Sequence, residues 1–391
     1  MIFEDNKDVI SVDEIEDEND DIAVTIDAEL SLSKDTIFED CNILIDVSAG
    51  GAIKTNGKKL KFVDSKICFK GSKAGTVIEL KKGNCEIEEC SIFQIDAKEG
   101  SFTRFLVSRG DGCIDISNCS FDNMEGRIIQ TVGGSLFIEG CKVQSIQGEF
   151  CNVCYDEKKK TVYPSVSIKN TEFKDCSFPQ KVDLKKTGKT EPKYWESGSP
   201  SIIDGNEIVS ATFEGLRFED CTLLCIRVKN TMLPNPCRLS NSEFINCKQS
   251  FDSENYCVYF RKTNLTMSKC AFKKSCSVYM HCQYSSADVK ECTFDGCDLK
   301  SDFGRTGVLY ILDEVDEPII HVRNCKFSNC KVIGSDTAMI YITAGVPEKK
   351  QANTVIIEKC KYVKCKSEQD IRGTEKQDGF FGKTIKMYLE K

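Results

Sequence analysis

The chain has 391 residues, of which 40% are hydrophobic and 29% are charged, and its formal net charge is −8. This acidic balance argues against a nucleic-acid-binding protein, because such proteins need a basic face for phosphate contacts. The composition is otherwise typical of a folded chain, apart from its 24 cysteines. The cysteines are therefore the first feature that a fold has to explain.

Residues 1–21 form an acidic start, in which seven of the nine residues from Asp13 to Asp21 are Asp or Glu. High charge with few apolar residues predicts a mobile segment. This start lacks the basic and apolar regions of a secretory signal, and the chain has no run of ~18 apolar residues that could span a membrane. We expect a cytoplasmic protein. A secreted or cell-surface protein is the alternative if further residues precede this start.

From Ile22 onward the sequence repeats a short pattern around one apolar residue. The first predicted strand is IAVTIDAELSL (Ile22–Leu32), which alternates between apolar and polar residues. The clearest copies of the repeat are CTFDGC (Cys292–Cys297), CKFSNC (Cys325–Cys330) and CKYVKC (Cys360–Cys365). Alignment on the central residue predicts twelve copies, centred at Phe38, Ile67, Ile92, Phe121, Val143, Phe173, Phe218, Phe244, Phe272, Phe294, Phe327 and Tyr362.

Most cysteines occupy two positions of this repeat. Two residues before the centre lie Cys90, Cys119, Cys141, Cys270, Cys292, Cys325 and Cys360. Three residues after the centre lie Cys41, Cys176, Cys221, Cys247, Cys297, Cys330 and Cys365, and Cys276 is displaced by one residue. Reduced cysteine is small and apolar, so we expect both columns to fill inward corners where larger side chains would collide with the next repeat. In a reducing cytosol they would stay thiols.

Each repeat predicts short β-strands separated by corners. Asn118, Asn170, Asn241 and Asn324 precede the first cysteine position, and Asn tolerates the left-handed backbone of tight turns. Alternating strands come before them, and Ile and Val together outnumber Leu. These features predict an all-β fold: a single-stranded right-handed parallel β-helix of about twelve turns with capped ends. A leucine-rich-repeat-like solenoid is the alternative fold.

Long gaps between repeat centres mark insertions. We predict a parallel β-helix over residues 22–371, with loop insertions at 177–201 and 343–353. The first insertion is rich in Lys and interrupted by Pro, which is typical of a loop outside the core. Residues 372–391 are predicted to form a C-terminal cap, because an open end of the coil would leave unpaired strand edges.

The insertion at 177–201 carries the candidate contact residues. It contains the only tryptophan of the chain, Trp195, beside Tyr194, together with Lys185 and Lys186. Exposed Trp is enriched where proteins contact partners, although a loop aromatic can also fold back on its own domain. We predict these four residues as possible contacts with an unknown macromolecular partner.

Candidates for catalysis or metal binding are few. The chain has only two histidines, and strand alternation points His321 outward, while His281 is expected at the surface. Asp111 and Asp115 are the best acidic pair, although a polar turn explains them equally well. Cys151 and Cys154 form a single CxxC, whereas zinc needs four ligands and a redox motif opens a helix. We therefore predict no catalytic residue, no metal site and no cofactor.

The repeats resemble those of a known superfamily. The Cys-x-Phe-x-x-Cys turns, a GGAI at Gly50–Ile53 and the strands CVYF (Cys257–Phe260), SVYM (Ser277–Met280), VLYI (Val308–Ile311) and MIYI (Met339–Ile342) look like the right-handed β-helix repeats of the pectin-lyase-like superfamily. They are most similar to the Cys-rich protist variant of the polymorphic-outer-membrane-protein type of repeat, over roughly Ile22 to Cys365. The resemblance implies the β-helix fold. Enzymes of this superfamily act on acidic polysaccharides at the outer face of the coil.

The sequence favours a non-catalytic scaffold or interaction protein that binds a macromolecule through its sheet faces and projecting loops. Its partner is expected to be a protein rather than a glycan, with no nucleic acid and no membrane span. The alternative is a surface adhesin or a carbohydrate-binding or polysaccharide-processing protein of the pectin-lyase-like type. A turnover assay on acidic polysaccharides separates the two, because fold alone does not decide function.

Deletion of Lys181–Ser199 tests the predicted insertion. The free energy of unfolding should change by less than about 1 kcal/mol, because removing a surface loop costs no core contacts. Urea denaturation of the deleted and full chains measures this difference. Loss of folding would show that the segment belongs to the core.

Overall fold

The chain is built from parallel β-strands, as a computed structural model shows. The structure describes residues 22–71, 75–96, 103–155, 163–177, 201–231, 236–248, 256–282, 286–300, 305–313, 319–333, 336–344, 354–367, 369–373 and 385–389. None of these residues lies in a helix. The chain divides into two compact units, Met1–Asp204 and Gly205–Lys391.

In the first unit the chain winds through three parallel ladders of strands. The first ladder contains β1 (Ile22–Ile26), β4 (Cys41–Asp46), β7 (Lys66–Lys70), β10 (Ser91–Ile95), β13 (Ser120–Asp122), β16 (Lys142–Gln144) and β19 (Glu172–Lys174). The second contains β2 (Glu29–Ser31), β5 (Ala52–Lys54), β8 (Gly75–Lys81), β11 (Thr103–Arg109), β14 (Glu125–Val132), β17 (Gln147–Cys154) and β20 (Ser201–Asn206), whose last two residues belong to the second unit. The third contains β3 (Thr36–Glu39), β6 (Leu60–Val63), β9 (Cys85–Glu88), β12 (Cys113–Ser117), β15 (Ser135–Glu139) and β18 (Ser165–Lys169).

The second unit has the same three ladders. Its first ladder contains β22 (Arg217–Glu219), β25 (Glu243–Ile245), β28 (Ala271–Lys273), β31 (Thr293–Asp295), β35 (Lys326–Ser328) and the end of β38 (Thr354–Val363). Its second contains β23 (Leu224–Lys229), β26 (Tyr256–Arg261), β29 (Ser277–Cys282), β33 (Arg305–Asp313), β37 (Asp336–Ala344) and β39 (Gln369–Gly373). Its third contains β21 (Ser210–Glu214), β24 (Pro236–Ser240), β27 (Asn264–Ser268), β30 (Ala287–Lys290), β34 (Ile319–Arg323), the start of β38 and β40 (Ile385–Leu389). A short extra pair is formed by β32 (Asp298–Lys300) and β36 (Lys331–Ile333).

The order of pairing makes each unit a parallel β-helix. Three consecutive strands enter three different ladders, and β4, β5 and β6 then pair in parallel with β7, β8 and β9. The chain therefore returns to the same ladder after one turn. The predicted β-helix fold class is confirmed. Each turn contributes strands to three ladders, whereas the alternative, a leucine-rich-repeat-like solenoid, would have a single sheet of parallel strands.

The centre of the predicted repeat is an inward column of the first ladder. In the second unit Phe218, Phe244, Phe272, Phe294, Phe327 and Tyr362 stand in register. In the first unit the column holds Val24, Ile43, Ile67, Ile92, Phe121, Val143 and Phe173. The first predicted centre, Phe38, is wrong, because it lies in the third ladder and pairs with Phe62. The aliphatic residues Val24 and Ile43 take its place, so the described part of the chain contains thirteen centres (seven and six) instead of twelve.

The interior of the second unit is a continuous stack of aromatic rings. The centroids of neighbouring rings along this column are 4.6–5.3 Å apart, and their planes differ by 4–12°. This spacing follows from the ~4.8 Å separation of hydrogen-bonded strands. In the first unit aliphatic residues interrupt the column, and Phe121 instead packs edge-on against Phe105 and Phe150 of the second ladder. Both arrangements bury the phenylalanine rings fully, and Tyr362 at the end of the stack is half-buried.

Both cysteine positions follow a corner residue in the left-handed region of backbone conformation. The first corner has positive φ at Asp40, Asp64, Glu89, Asn118, Gly140, Asn170, Gly215, Asn241, Lys269, Glu291, Asn324 and Lys359. The second has it at Asn123, Ser145, Asp175, Asp220, Asn246, Lys274, Gly296, Asn329 and Lys364. The Asn corners are thus as predicted. Lys and Glu occupy equivalent corners, so the repeated geometry is imposed by stacking and not only by local preference.

The thiols at these corners donate hydrogen bonds to backbone carbonyls. The Cys330 Sγ donates to Ser328 O at 3.2 Å and to Phe294 O of the preceding turn at 3.4 Å. Where the column lacks Cys, a hydroxyl makes the same bonds: Ser275 Oγ donates to Phe244 O at 2.9 Å and accepts from the Cys247 N–H at 3.2 Å. Most corners therefore hold a small inward side chain with a donor, while Met124, Ile146 and Leu216 are larger buried side chains at equivalent corners.

Two cysteines occupy positions that differ from the prediction. Cys41 lies two residues before Ile43 and belongs to the first column, not the second, because the true centre is Ile43. Cys276 does not slip into the second column, since Ser275 fills that position and Cys276 follows it, also buried. The structure places the other thirteen cysteines of the predicted columns at the expected corners.

The GGAI motif marks a close approach of the backbone in the first unit. A Cβ on Gly51 would lie 2.1 Å from Ile26 O and 2.8 Å from Asp46 O. Gly50, with a φ of 118°, precedes it in a turn. Glycine is required here because any side chain would collide with the neighbouring turn.

Parts of the predicted domain organisation lie outside the described residues. Residues 1–21 and 178–200 are in this group, so the acidic segment and most of the 177–201 insertion stay predictions. The strand β37 extends to Ala344, and residues 345–353 of the second insertion are not described. Within the predicted cap 372–391, β40 pairs in parallel with β38.

The substitution Phe294→Asp tests the interior column. It should destabilise the chain by at least about 4 kcal/mol, because it removes a fully buried ring and buries a charge. The neighbouring Thr293 is exposed, so Thr293→Asp is a matched control with an expected change below about 0.5 kcal/mol. Urea denaturation measures both, and equal stability of the two variants would contradict the inward assignment.

Candidate functional site

The contact residues predicted from the sequence have no described position. Trp195, Tyr194, Lys185 and Lys186 all lie in 178–200, outside the described residues. Their proposed contact role therefore stays a prediction. The described residues present a different candidate, on the second ladder of the second unit.

Four tyrosines form a ladder on the outer face of this sheet. Tyr259 of β26, Tyr279 of β29, Tyr310 of β33 and Tyr341 of β37 stand at one register position. Their successive ring centroids are 4.9, 5.1 and 5.3 Å apart, with planes tilted by 15–27°. We call these four residues the tyrosine ladder.

Strand alternation explains why the tyrosines point outward. On either side of Tyr279, Val278 and Met280 are buried in the core, and Val258 and Phe260 flank Tyr259 in the same way. Adjacent side chains on a strand point to opposite faces of the sheet. Tyr259, Tyr279 and Tyr310 are half-buried, whereas Tyr341 is fully buried.

The sequence signal for this ladder was present but not interpreted. The segments CVYF, SVYM, VLYI and MIYI each place Tyr between two core residues, one turn apart. The same segments also carry the resemblance to the pectin-lyase-like repeats. Read as equal positions of stacked turns, they predict a column of four rings.

Stacking leaves the edges of the rings, not their faces, to the surroundings. Each inner ring of the ladder has a neighbouring ring near van der Waals distance on both faces, so the faces of Tyr279 and Tyr310 are occupied. A fifth ring, Tyr256, adds to this packing, with its centroid 4.7 Å from that of Tyr279. Ligands that stack on an aromatic face therefore find no free face on the two inner rings, Tyr279 and Tyr310.

A basic row runs beside the tyrosine ladder. One register position of β23, β26 and β29 holds Arg227, Tyr259 and Tyr279. Two residues further along the same strands, the next outward position holds Lys229, Arg261 and His281. The Lys229 Nζ lies 5.9 Å from the centroid of the Tyr259 ring, which is within the range of a cation–π interaction. Arg261 is half-buried. We call Lys229 and Arg261 the basic row.

The first unit contains a buried polar cluster on the second ladder. Arg127 and Glu149 form an ion pair between adjacent strands, and only 1% of the Glu149 side chain is exposed. Nearby, the Asn152 Nδ2 donates to the Asp204 Oδ2 at 3.0 Å. Both carboxylates are thus held by defined partners.

The acidic and histidine candidates do not converge. Asp111 lies at the corner after β11, and Asp115 lies on the exposed face of β12. Burial, followed by the charges of Glu86 and Glu139, raises the pKa of Asp115. His281 belongs to the second ladder and the half-buried His321 to the third, so the structure does not bring the two histidines together.

The CxxC pair lies on strand β17, and not at the start of a helix. Cys151 is fully buried, and burial raises the pKa of its thiol well above the ordinary value, with Glu149 and Asp204 adding to the effect. A nucleophilic or metal-binding cysteine needs the opposite shift, toward the thiolate. Cys154 is half-buried, and its Sγ donates to Thr131 O at 3.5 Å.

Other thiols divide into deeply buried and half-buried groups. Burial raises the pKa of Cys225 and Cys257 well above the ordinary value, and both are at most 1% exposed. Cys68, Cys113 and Cys365 are half-buried, and their pKa values are also raised by burial. None of the 23 cysteines whose side chains the structure describes forms a disulfide.

The described residues contain neither a metal-binding cluster nor a membrane-spanning helix. No group of three or more His, Cys, Asp or Glu side chains in this part of the chain has the arrangement of a metal site. No helix long and apolar enough to cross a membrane occurs in the same residues.

Comparisons with known proteins do not place the chain in a family. No protein-family model matches it, and no curated protein matches it. Among solved structures it is similar to a trypsin-treated variant of QnrB1, a plasmid-mediated fluoroquinolone resistance protein, with 11% identity. That alignment covers 61% of this chain and 90% of QnrB1 with a TM-score of 0.14, a level of similarity that supports no argument about function.

Alkylation of the native protein tests the two groups of thiols. Cys68, Cys113 and Cys365 should react slowly with iodoacetamide at neutral pH and faster as the pH rises toward their raised pKa values, because only the thiolate attacks. Cys225 and Cys257 should react only after unfolding. Peptide mapping by mass spectrometry measures each site. Equal labelling of both groups in the native protein would contradict the buried positions.

Proposed function

We propose that this chain is a non-catalytic β-helix scaffold that binds a protein partner, and that the tyrosine ladder is part of the binding face. The observation that carries the proposal is a regular column of tyrosines on an outer sheet face, of which Tyr259, Tyr279 and Tyr310 are half-buried, with a basic row beside it. Neither row is needed to complete the core, because the core residues of the same strands point to the opposite face.

Tyrosine suits a protein interface for physical reasons. It combines a large apolar ring with a hydroxyl that donates or accepts a hydrogen bond, and it is enriched among residues that dominate binding energy. In the ladder, neighbouring rings hold Tyr279 and Tyr310 in place, so little side-chain entropy is lost on binding. A rigid, pre-ordered face of this kind lowers the cost of association.

The geometry favours a protein over a glycan. Sugars and bases are commonly held by stacking on an aromatic face, and the inner faces of the ladder are occupied by neighbouring rings. What the ladder offers instead is a row of ring edges and hydroxyls at intervals of about 5 Å. Backbone and side-chain groups of a polypeptide can match such a row.

A polysaccharide-processing enzyme of the pectin-lyase-like type is the alternative. It needs outward carboxylates that can exchange protons or bind Ca²⁺ beside a basic group. The buried cluster of the first unit has carboxylates and an arginine, but Glu149 is ion-paired with Arg127, and Asp204 accepts from Asn152. This pairing supports a structural role. Membership of the pectin-lyase-like superfamily, in its Cys-rich protist form, stays part of the proposal.

We place the protein in a reducing compartment such as the cytoplasm. The thiols of both corner columns donate hydrogen bonds to carbonyls, as Cys330 does, and a disulfide would remove these donors. Alkylation of denatured, unreduced protein from its source cells checks this placement. Near-complete labelling supports it, whereas few free thiols would favour the secreted or surface alternative.

The binding face is tested by selecting peptides from a random display library on the full chain. Peptides that bind the wild type should lose at least tenfold in affinity with Tyr279→Ser, because this removes the central ring of the face. Tyr279→Phe keeps the ring and should keep most of the affinity. Fluorescence anisotropy with the selected peptides measures each dissociation constant.

A matched control removes an aromatic residue elsewhere. Phe137, on the third ladder of the first unit, is 38% exposed, and Phe137→Ser should leave peptide binding unchanged. Thermal unfolding of each variant is measured first, so that a loss of peptide binding can be distinguished from a loss of folding. Equal binding by all variants would contradict the proposed face. Turnover of polygalacturonate or another acidic polysaccharide by the wild type would contradict the absence of catalysis.

A further inference from the structure

We infer that a lysine-rich surface in the second unit binds the acidic segment Asp13–Asp21 of a second copy of this chain. Four exposed side chains form this surface, which we call the lysine patch: Lys326, Lys331, Lys364 and Lys366. They lie on the first ladder and the short extra pair and at the corner after β38, whereas the tyrosine ladder lies on the second ladder. The binding is therefore independent of the proposed function.

Positive charge is concentrated in two turns of the second unit. Residues 324–333 and 359–367 contain six Lys and no Asp or Glu, although the whole chain carries a formal charge of −8. Lys331 and Lys366 form a parallel bridge, so their backbones are about 4.8 Å apart. Like charges on directly opposite residues repel each other. An anionic partner at this position relieves the repulsion.

The lysine patch makes no ion pair with the part of the chain that the structure describes. Two carboxylates stand one turn earlier. Asp295 Oδ1 accepts hydrogen bonds from Ser328 Oγ at 2.9 Å and from Asn329 Nδ2 at 2.8 Å. Asp298 is exposed and stands in register with Lys331 without pairing with it. The four ammonium groups are thus available to a partner.

Two apolar side chains border these lysines. Val363 and Ile333 are each 43% exposed, and they are two of the five large hydrophobic residues that the described surface exposes. Val363 directly precedes Lys364. On β36, Ile333 and Lys331 point to the same face, because side chains two residues apart share a face of a strand. The surface therefore offers apolar contacts beside the ionic ones.

The acidic segment has matching chemistry. Residues 1–21 contain ten Asp or Glu and one Lys, so the rest of the chain is nearly neutral. Seven of these acids lie in Asp13–Asp21, where Ile15 accompanies them and Val12 precedes them. Ammonium groups only donate hydrogen bonds, and ionised carboxylates only accept them. The segment can thus offer carboxylates to the lysine patch and apolar side chains to Val363 and Ile333.

The reach of the segment favours a second copy over the same chain. The segment directly precedes β1, and its nine residues span at most about 30 Å when extended. In the first unit alone, six ladder steps, or roughly 29 Å, separate β1 from β19. The lysine patch belongs to the last turns of the other unit. A segment from a second copy is free of this limit, and the contact is head-to-tail.

Nucleic acid matches the lysine patch less well than the acidic segment. Nucleic-acid sites neutralise many phosphates and commonly stack bases on exposed aromatic rings. The aromatic residues of the same two turns, Phe327 and Tyr362, belong to the inward column. The net charge of −8 also repels a polyphosphate chain.

Sedimentation velocity of the full chain measures the association. In about 0.01 M salt the average sedimentation coefficient should rise with protein concentration. In about 1 M salt it should stay at the monomer value, because screening shortens the range of ionic contacts from ~30 Å to ~3 Å. Deletion of residues 1–21 should abolish the rise. A full chain that stays monomeric in low salt overturns the inference.

Charge variants test the lysine patch itself. Replacement of its four lysines by Gln should abolish association as fully as the deletion does. A matched control removes the same charge from exposed lysines of the first unit: Lys34→Gln, Lys82→Gln, Lys142→Gln and Lys174→Gln. The control should associate within twofold of the wild type, and thermal unfolding of each variant verifies its fold. Equal loss in both quadruple variants overturns the inference.

Mixing the two defective chains tests the head-to-tail contact. The chain without residues 1–21 keeps the lysine patch, and the lysine-patch variant keeps the acidic segment. Each should be monomeric alone, and together they should form 1:1 dimers that do not grow, because one complementary pair of sites is left. A mixture that stays monomeric contradicts the contact.

A fluorescein-labelled peptide of residues 10–21 identifies the partner directly. In anisotropy titrations it should bind the deleted chain, and a counterpart with Asn and Gln in place of every acid should bind at least tenfold more weakly. If the peptide binds while the full chain is monomeric at every concentration, the segment occupies its own chain and the inference fails. Tighter binding of an oligonucleotide or of anionic phospholipid vesicles than of the peptide also overturns it.

Discussion

The stacking of parallel strands at about 4.8 Å determines both the backbone corners and the side-chain columns of this molecule. Each turn must close in a few residues and return in register, so the backbone enters the left-handed region at the same corners of successive turns. The inward residue after such a corner meets its counterpart in the next turn. Cys, Ser and Thr fill most of these positions, and the larger Met124, Ile146 and Leu216 fill others.

The same register that orders the interior also orders the surface. Equal spacing puts Phe294 on Phe327 inside the second unit and Tyr279 on Tyr310 outside it. The inner stack supplies stability by burying rings. The outer stack presents ring edges, hydroxyls and neighbouring cations in a rigid row. A binding face can thus arise from repetition alone, without a loop or a cavity to shape it.

The repeat centres can be predicted from the sequence where the motif is regular, but not where the residue type at the centre of the repeat changes. The Cys-x-aromatic pattern predicts eleven centres correctly, from Ile67 to Tyr362. It also predicts a centre at Phe38, but Ile43 holds that position. Phe38 lies on β3, one corner before Ile43 on β4, and it resembles the motif because it is aromatic, whereas the aliphatic Ile43 does not. The candidate contacts were sought in a Trp-bearing loop, and the ladder of tyrosines in the strands was not recognised.

The sequence by itself determined the β-helix, its inward columns and most of its corners, because these depend on alternation and spacing along one chain. Only the tertiary structure decided which residues of different turns share a row. The tyrosine ladder and the basic row join Lys229, Arg261 and Tyr310 across insertions of unequal length, so no fixed sequence spacing relates them. Register between strands is set by backbone hydrogen bonds and the shared core, and only the folded coil brings these side chains together.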